Sequence, residues 1–276
     1  MERILILVIA LGVLSLGFGV VEKLWPQVRG QRRLRAGVFV DVAWWLFTPT
    51  VGKLFTGIVV GGCVLGLAAV LGLPITPDHL RGISERDTLI GRQPFLLQFV
   101  AFLFLADLLA YWNHRAFHAF GRLWRIHAVH HSSTELDWLS SVRVHPLNDA
   151  IGSAVVATPL LLLGFAPAAL AAYLPFLTLY AIMLHANVDW SFGPLRNLIA
   201  SPAYHRWHHA ADQEALDKNF AGLFPFYDRL FGSFYLPRDR RPVHFGIIGS
   251  APPKGFMGQM LYPFRSPKPV PVAAEV

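Results

Sequence analysis

Long uncharged runs fill much of the first two thirds of this chain, and they leave few folds open. Residues 4–21 are almost continuously apolar, about long enough to cross a bilayer as a helix. No small-residue cleavage site precedes Glu22 and Lys23, so the run reads as a retained anchor rather than a signal peptide. A second span covers residues 54–73, rich in Gly and Val and closed by Pro74. A third covers residues 95–112, interrupted only by Gln98 and Asp107. Residues 151–184 are apolar again but break at Gly164, Phe165, Ala166 and Pro167. Each half is short for a full span, which predicts a tight helical hairpin that does not fully cross. The expected fold class is all-α: membrane helices carrying a helical, histidine-rich cap.

Charge sets the orientation. Only 15% of residues are charged and 54% are hydrophobic, against about 25% charged in ordinary soluble domains, and the mean hydropathy is +0.45. The formal charge of +7 could suit nucleic acid, but the basic residues flank apolar runs, which fits anionic headgroups instead. Lys23, Arg29, Arg32, Arg33 and Arg35 mark the cytoplasmic side. The N-terminus is then outside, residues 22–36 inside and the loop 74–94 outside. Residues 37–49, with Asp41, Trp44 and Trp45, lie in the interface or lead straight into the next span. Residues 1–99 read as an anchor region, 100–237 as the catalytic domain and 238–276 as a cytoplasmic tail with a loose Pro-rich end from Ser266. Cys63 is the one cysteine, a packing residue, so neither a disulfide framework nor a thiolate site is available.

The chemistry is carried by histidines. His114 and His118 are spaced i, i+4; His127, His130 and His131, and again His205, His208 and His209, are spaced i, i+3, i+4. On a helix these positions share a face, so each triplet can aim three imidazoles at one point. A lone histidine is usually a satisfied core residue; three clusters with helical spacing are ligands. Eight imidazoles exceed the four ligands of a zinc-type ion, which implies two metal ions. Imidazole suits iron, copper, nickel and zinc alike. Asp149, Asp189 and Asp212 are candidates for fixing imidazole tautomers. His79 reads as a surface residue, and His244 belongs to no cluster.

These clusters, with the stretches around His185, around Ser201 to His209 and from Asn219 to Asp228, resemble the fatty acid hydroxylase superfamily, also called the sterol desaturase family. The resemblance covers residues 100–237. It implies an integral membrane di-iron oxygenase with its site near the cytoplasmic face, and metal ligation by His114, His118, His127, His130, His131, His185, His205, His208 and His209. Some members carry a further histidine pair before the last triplet. Here His185 stands first and Asp189 takes the second place, either as a hard ligand or, the preferred reading, orienting an imidazole from outside. His145 recurs in relatives, as a ligand or a hydrogen-bonding residue.

Attack on an unactivated C–H bond needs a metal centre. The resemblance supplies two iron ions with O2 as co-substrate, and a lipid substrate: fatty acyl, sterol-like or another apolar chain, hydroxylated or desaturated. No G-x-G-x-x-G occurs and nothing looks like a fused cytochrome b5 domain, so electrons are expected from a separate reductase or a ferredoxin- or cytochrome b5-like partner. The aromatic residues of 220–235 line a substrate pocket or pack as a cap. Rival readings are a metal transporter, which would hold its ligands near mid-membrane, and a metal-dependent hydrolase, which would carry a glutamate base as in H-E-x-x-H.

Overall fold

A computed structural model describes residues 2–70, Gly72, Thr76 and 88–265. Among them every regular element is helical, apart from an isolated bridge between Ala210 and Phe245. The longer helices are α1 (Glu2–Leu24), α2 (Val38–Phe47), α3 (Lys53–Val70), α4 (Phe95–Ala119), α5 (Gly121–His131), α6 (Pro146–Leu162) and α7 (Pro167–His185). Three short ones follow: α8 (Pro202–His208), α9 (Phe226–Leu230) and α10 (Phe256–Leu261).

Among the described residues, four helical runs are long and apolar enough to cross a membrane: Glu2–Leu24, Val38–Val70, Phe95–Ala119 and Ala168–His185. The protein is integral to the membrane. The second run starts well before the expected residue 54. Residues 37–49 lead into it through α2 and a π-turn, Thr48–Gly52, which carries Pro49 at its start. Proline donates no backbone N–H, so the ladder slips there and resumes where the Lys53 N–H reaches the carbonyls of Thr48 and Thr50. Leu71 and Leu73, the expected end of the span, lie outside the described residues, as do most of the 74–94 loop, His79 and the end from Ser266.

The apolar stretch 151–184 breaks where its sequence does. Gly164 turns the corner at φ +85°, and a Cβ there would come within 2.3 Å of Thr88 Oγ1, so only glycine fits. Of the two arms, α7 reaches spanning length while α6 is a shorter apolar helix. The α6 arm packs on α3 and α4. Phe102 of α4 meets Phe165 and Tyr173 of the hairpin edge-on, at 5.4 and 5.2 Å.

Polar anchors join the N-terminal half to the cap. Arg35, one of the basic residues expected at the headgroups, is instead buried: its guanidinium pairs with Asp41 at 2.7 Å and with Asp137 at 2.5 Å. Asp41 also accepts from Arg143 Nε at 2.7 Å. An aspartate inside an apolar run is thereby fully neutralised. The segment read as a tail is packed on the body as far as residue 265: Gln259 of α10 is buried and accepts from Trp44 Nε1 at 2.8 Å.

Candidate metal centre

Four helices deliver imidazoles to one end of the bundle. His114 and His118 occupy the last turns of α4, and the extended backbone of Phe120 (φ −106°, ψ 117°) separates them from α5, which carries His127, His130 and His131. His185 is the last residue of α7. Ser201 caps α8 by accepting the Tyr204 N–H, with Pro202 at the first helical position, and sets His205 and His208 inward with His209 as C-cap.

Among the described residues, nine imidazoles gather into two groups. His114, His118, His127, His131 and His208 form one; His130, His185, His205 and His209 form the other. Within each group one ligand atom per residue lies within 4.8 Å of all the others, and either group could hold a metal ion. The groups touch where the His131 and His209 rings stack at 4.3 Å. Neither triplet points at a single spot, as its spacing alone suggests. Adjacent helical positions diverge by about 100°, so i and i+4 join one group while i+3 crosses to the other. His127 and His131 serve the first group and His130 the second; on α8, His205 and His209 serve the second and His208 the first.

The outer nitrogens decide which atoms face inward. Carbonyl oxygens accept Nδ1–H from His114 (Phe220, 2.8 Å), His130 (Arg143, 3.2 Å), His185 (Ala181, 2.7 Å) and His208 (Lys218, 2.8 Å). Asn148 Oδ1 takes that of His127 at 2.8 Å and Asp217 Oδ1 that of His118 at 3.1 Å. A carbonyl oxygen can only accept, so a neutral ring bonded to one through Nδ1 turns a bare Nε2 lone pair inward. The Nε2 atoms of His114 and His127 nevertheless approach to 2.9 Å, and those of His130 and His185 to 3.2 Å. Lone pairs at that distance repel unless a cation lies between them. Two imidazoles on one ion, at about 2.0–2.1 Å each, stand roughly 3 Å apart. The buried Nε2 atoms of His118 and His208 have no hydrogen-bond partner. The donor set fits two metal ions.

Electrostatics agree. Burial, reinforced by neighbouring imidazoles, holds His127, His130, His131, His205, His208 and His209 well below the usual histidine range. All six are neutral and available to a metal at physiological pH.

The other expected site residues lie elsewhere. His145 caps α6, accepting the Leu147 N–H at Nδ1 and donating from Nε2 to the Met260 carbonyl. Asp149 accepts from Lys53 and Thr56 and so ties α6 to α3. Asp189 pairs with Arg241 at the surface, and Asp212 bonds no imidazole. The carboxylate that does bond one is Asp217. It sits in the left-handed region (φ +55°), and the hydrogen bond from His118 is the main cause of its lowered pKa. The signal for it was faint: Asp217 and Asn219, two residue types that tolerate positive φ, bracket Lys218 just after the last triplet. Of the aromatic stretch, Phe220 lies edge-on to His114 and His118 at 5.6 and 5.1 Å, while Tyr227 packs into the core with Tyr111.

Several known proteins are similar to this chain in sequence. The ornithine lipid hydroxylase OlsE of Rhizobium tropici is 29% identical over 244 residues, covering 88% of this chain and 71% of that protein. The alkylglycerol monooxygenase of Danio rerio is 34% identical over 134 residues, 49% of this chain and 30% of its own, and that of Homo sapiens is 34% identical over 124 residues, 45% and 27%. The chain thus spans under a third of the two monooxygenases. No solved structure matches. The fatty acid hydroxylase profile matches residues 99–233, the segment that contains all nine converging imidazoles, and on these grounds that segment is a domain of the fatty acid hydroxylase family.

Proposed function

We propose that this protein is a di-iron hydroxylase that inserts one atom of O2 into an apolar chain of a membrane lipid. The observation that carries the reading is the pair of inward-facing Nε2 clusters, of which His114, His118 and His185 stand at the ends of the membrane-length helices α4 and α7. His114, His118, His127, His131 and His208 would hold one iron, and His130, His185, His205 and His209 the other. Bound there, the pair would supply the redox chemistry that a C–H bond requires and amino acids lack. One oxygen atom enters the C–H bond and the other leaves as water, which consumes two electrons and two protons. A reductase or a ferredoxin- or cytochrome b5-like partner provides those electrons.

The chain's own contribution is placement. Exposed Phe104 and Trp112 on α4 and Leu174, Phe176 and Leu179 on α7 give lipid-facing surface leading to the histidines. Neutral imidazoles add no charge to the site. The ligands sit in the last turns of α4 and at the last residue of α7, not at mid-span, which disfavours a transporter. Relatives named as a hydroxylase and a monooxygenase favour hydroxylation over desaturation.

The test is lipid profiling of cells with and without the chain, grown under isotopically heavy dioxygen. The expected product is a lipid heavier by one oxygen atom that carries the label. A product lighter by two hydrogens would make the enzyme a desaturase, and an unchanged profile would refute the oxygenase reading.

A cytoplasmic site is part of the proposal, supported by the basic residues after α1. In a Cys63→Ser background, Arg92→Cys is expected to react with an impermeant thiol reagent on intact cells, and Arg240→Cys to react only after lysis. The reverse labelling places the site on the outer face.

A further inference from the structure

One face of α4 runs Asp107, Tyr111, His114, His118, at i, i+4, i+7 and i+11. Every one of these side chains bonds the same distant segment. Asp107 Oδ1 accepts the N–H groups of Gly222 and Leu223 at 3.0 and 2.9 Å, and Oδ2 that of Phe224 at 2.8 Å. The Tyr111 hydroxyl bonds Ser233 Oγ at 2.8 Å. His114 donates to the Phe220 carbonyl and His118 to Asp217. From the other side Asp228 accepts the N–H groups of Phe220 and Ala221 at 2.7 and 2.9 Å. Five consecutive amides, 220 to 224, therefore end on two buried carboxylates. Gly222 permits the approach, since a Cβ there would stand 3.2 Å from Asp107 Oδ1.

This strap, residues 217–224, supplies the outer acceptors of His114, His118 and His208, three of the five imidazoles in the first group. It bonds no imidazole of the second, where His130 and His185 use the Arg143 and Ala181 carbonyls. We propose that the strap is a positioning device dedicated to the five-histidine group, with Asp217 acting directly on His118 and Asp107 and Asp228 fixing the backbone that orients His114. The inference rests on the two-metal reading and goes beyond it: the two ions depend on separate supports and can be weakened one at a time. An aspartate in a membrane-length helix is costly to keep, and the three amides that Asp107 accepts account for its place.

The experiment uses the full chain purified in detergent with its native metal, challenged with increasing chelator while metal per chain is measured. Wild type is expected to carry about two metals, one for each group. Asp217→Gly removes the carboxylate at a residue whose side chain is 73% exposed, and glycine accepts the positive φ without strain. It is expected to lose one metal at about 10–100-fold lower chelator and hold the other unshifted. Asp217→Asn, which keeps an acceptor, should recover part of that loss. Asp107→Asn should weaken the same half, identified as the half missing in His114→Ala. If both metals shift together, or neither shifts, the strap has no selective role and the proposal fails. A wild-type chain that does not carry a pair of metals overturns the two-group reading, and the strap role with it.

Discussion

His130→Ala is expected to abolish hydroxylation and to halve the metal content. His130 is one of only four imidazoles in its group, its Nε2 stands 3.2 Å from that of His185, and its Nδ1 is tied to the Arg143 carbonyl. No neighbour can move in to replace it: His185 is fixed from outside by the Ala181 carbonyl, and His205 and His209 already serve the same group. Loss of an outer partner typically costs 10–100-fold, so loss of a ligand should exceed about 100-fold in rate. His145→Ala is the contrast. It removes a helix cap worth about 1 kcal/mol and touches neither group, so metal content should stay at the wild-type level. Metal analysis and labelled-product formation on both variants check the pair. A His130→Ala enzyme that keeps two metals and turns over would refute the ligand assignment.

Asp41→Ala is expected to be the most destabilising single change in the N-terminal half. Its carboxylate is fully buried and shared by Arg35 and Arg143, themselves buried. Removing it leaves two guanidiniums short of a partner, and breaking a buried pair costs about 3–5 kcal/mol. Asp137 still holds Arg35, so Arg143 bears most of the loss. Arg143 also provides the carbonyl for His130, so the variant should shed metal from the four-imidazole group as it loosens. Thermal unfolding of the purified variant measures the effect; a loss under about 1 kcal/mol would mean that the network contributes little beyond what an apolar core would.

Eight of the nine converging imidazoles were legible because helical spacing is a local property; His185 stands in no spaced cluster and was indicated by the family resemblance alone. Positions i, i+3 and i+4 must share a face whatever the tertiary fold. The apolar runs were legible for the same reason, except where Pro49 hid the true start of the second. What the spacing could not show was how α5 and α8 face each other, and so how each triplet divides between two groups. The outer partners were harder still. Four of them are backbone carbonyls, which leave no trace in residue identity, and proximity in sequence pointed to Asp149 and Asp189, which the fold commits to Lys53 and Arg241. Asp107 was visible as a charge inside an apolar run. Its purpose depends on amides more than a hundred residues away.

The division of each triplet has a consequence for how the protein is made. α4 and α5 leave the ribosome early and already carry five imidazoles, yet those five belong to both groups. The first lacks His208 and its strap until residues 202–224 are synthesised, and the second lacks two of its four until α8 is complete. Neither proposed metal site has its full set of donors until α8 and the strap have been made. On the two-metal proposal, metal capture is therefore expected late in biogenesis, after the membrane helices have been inserted, where it would join helices made earlier to helices made later.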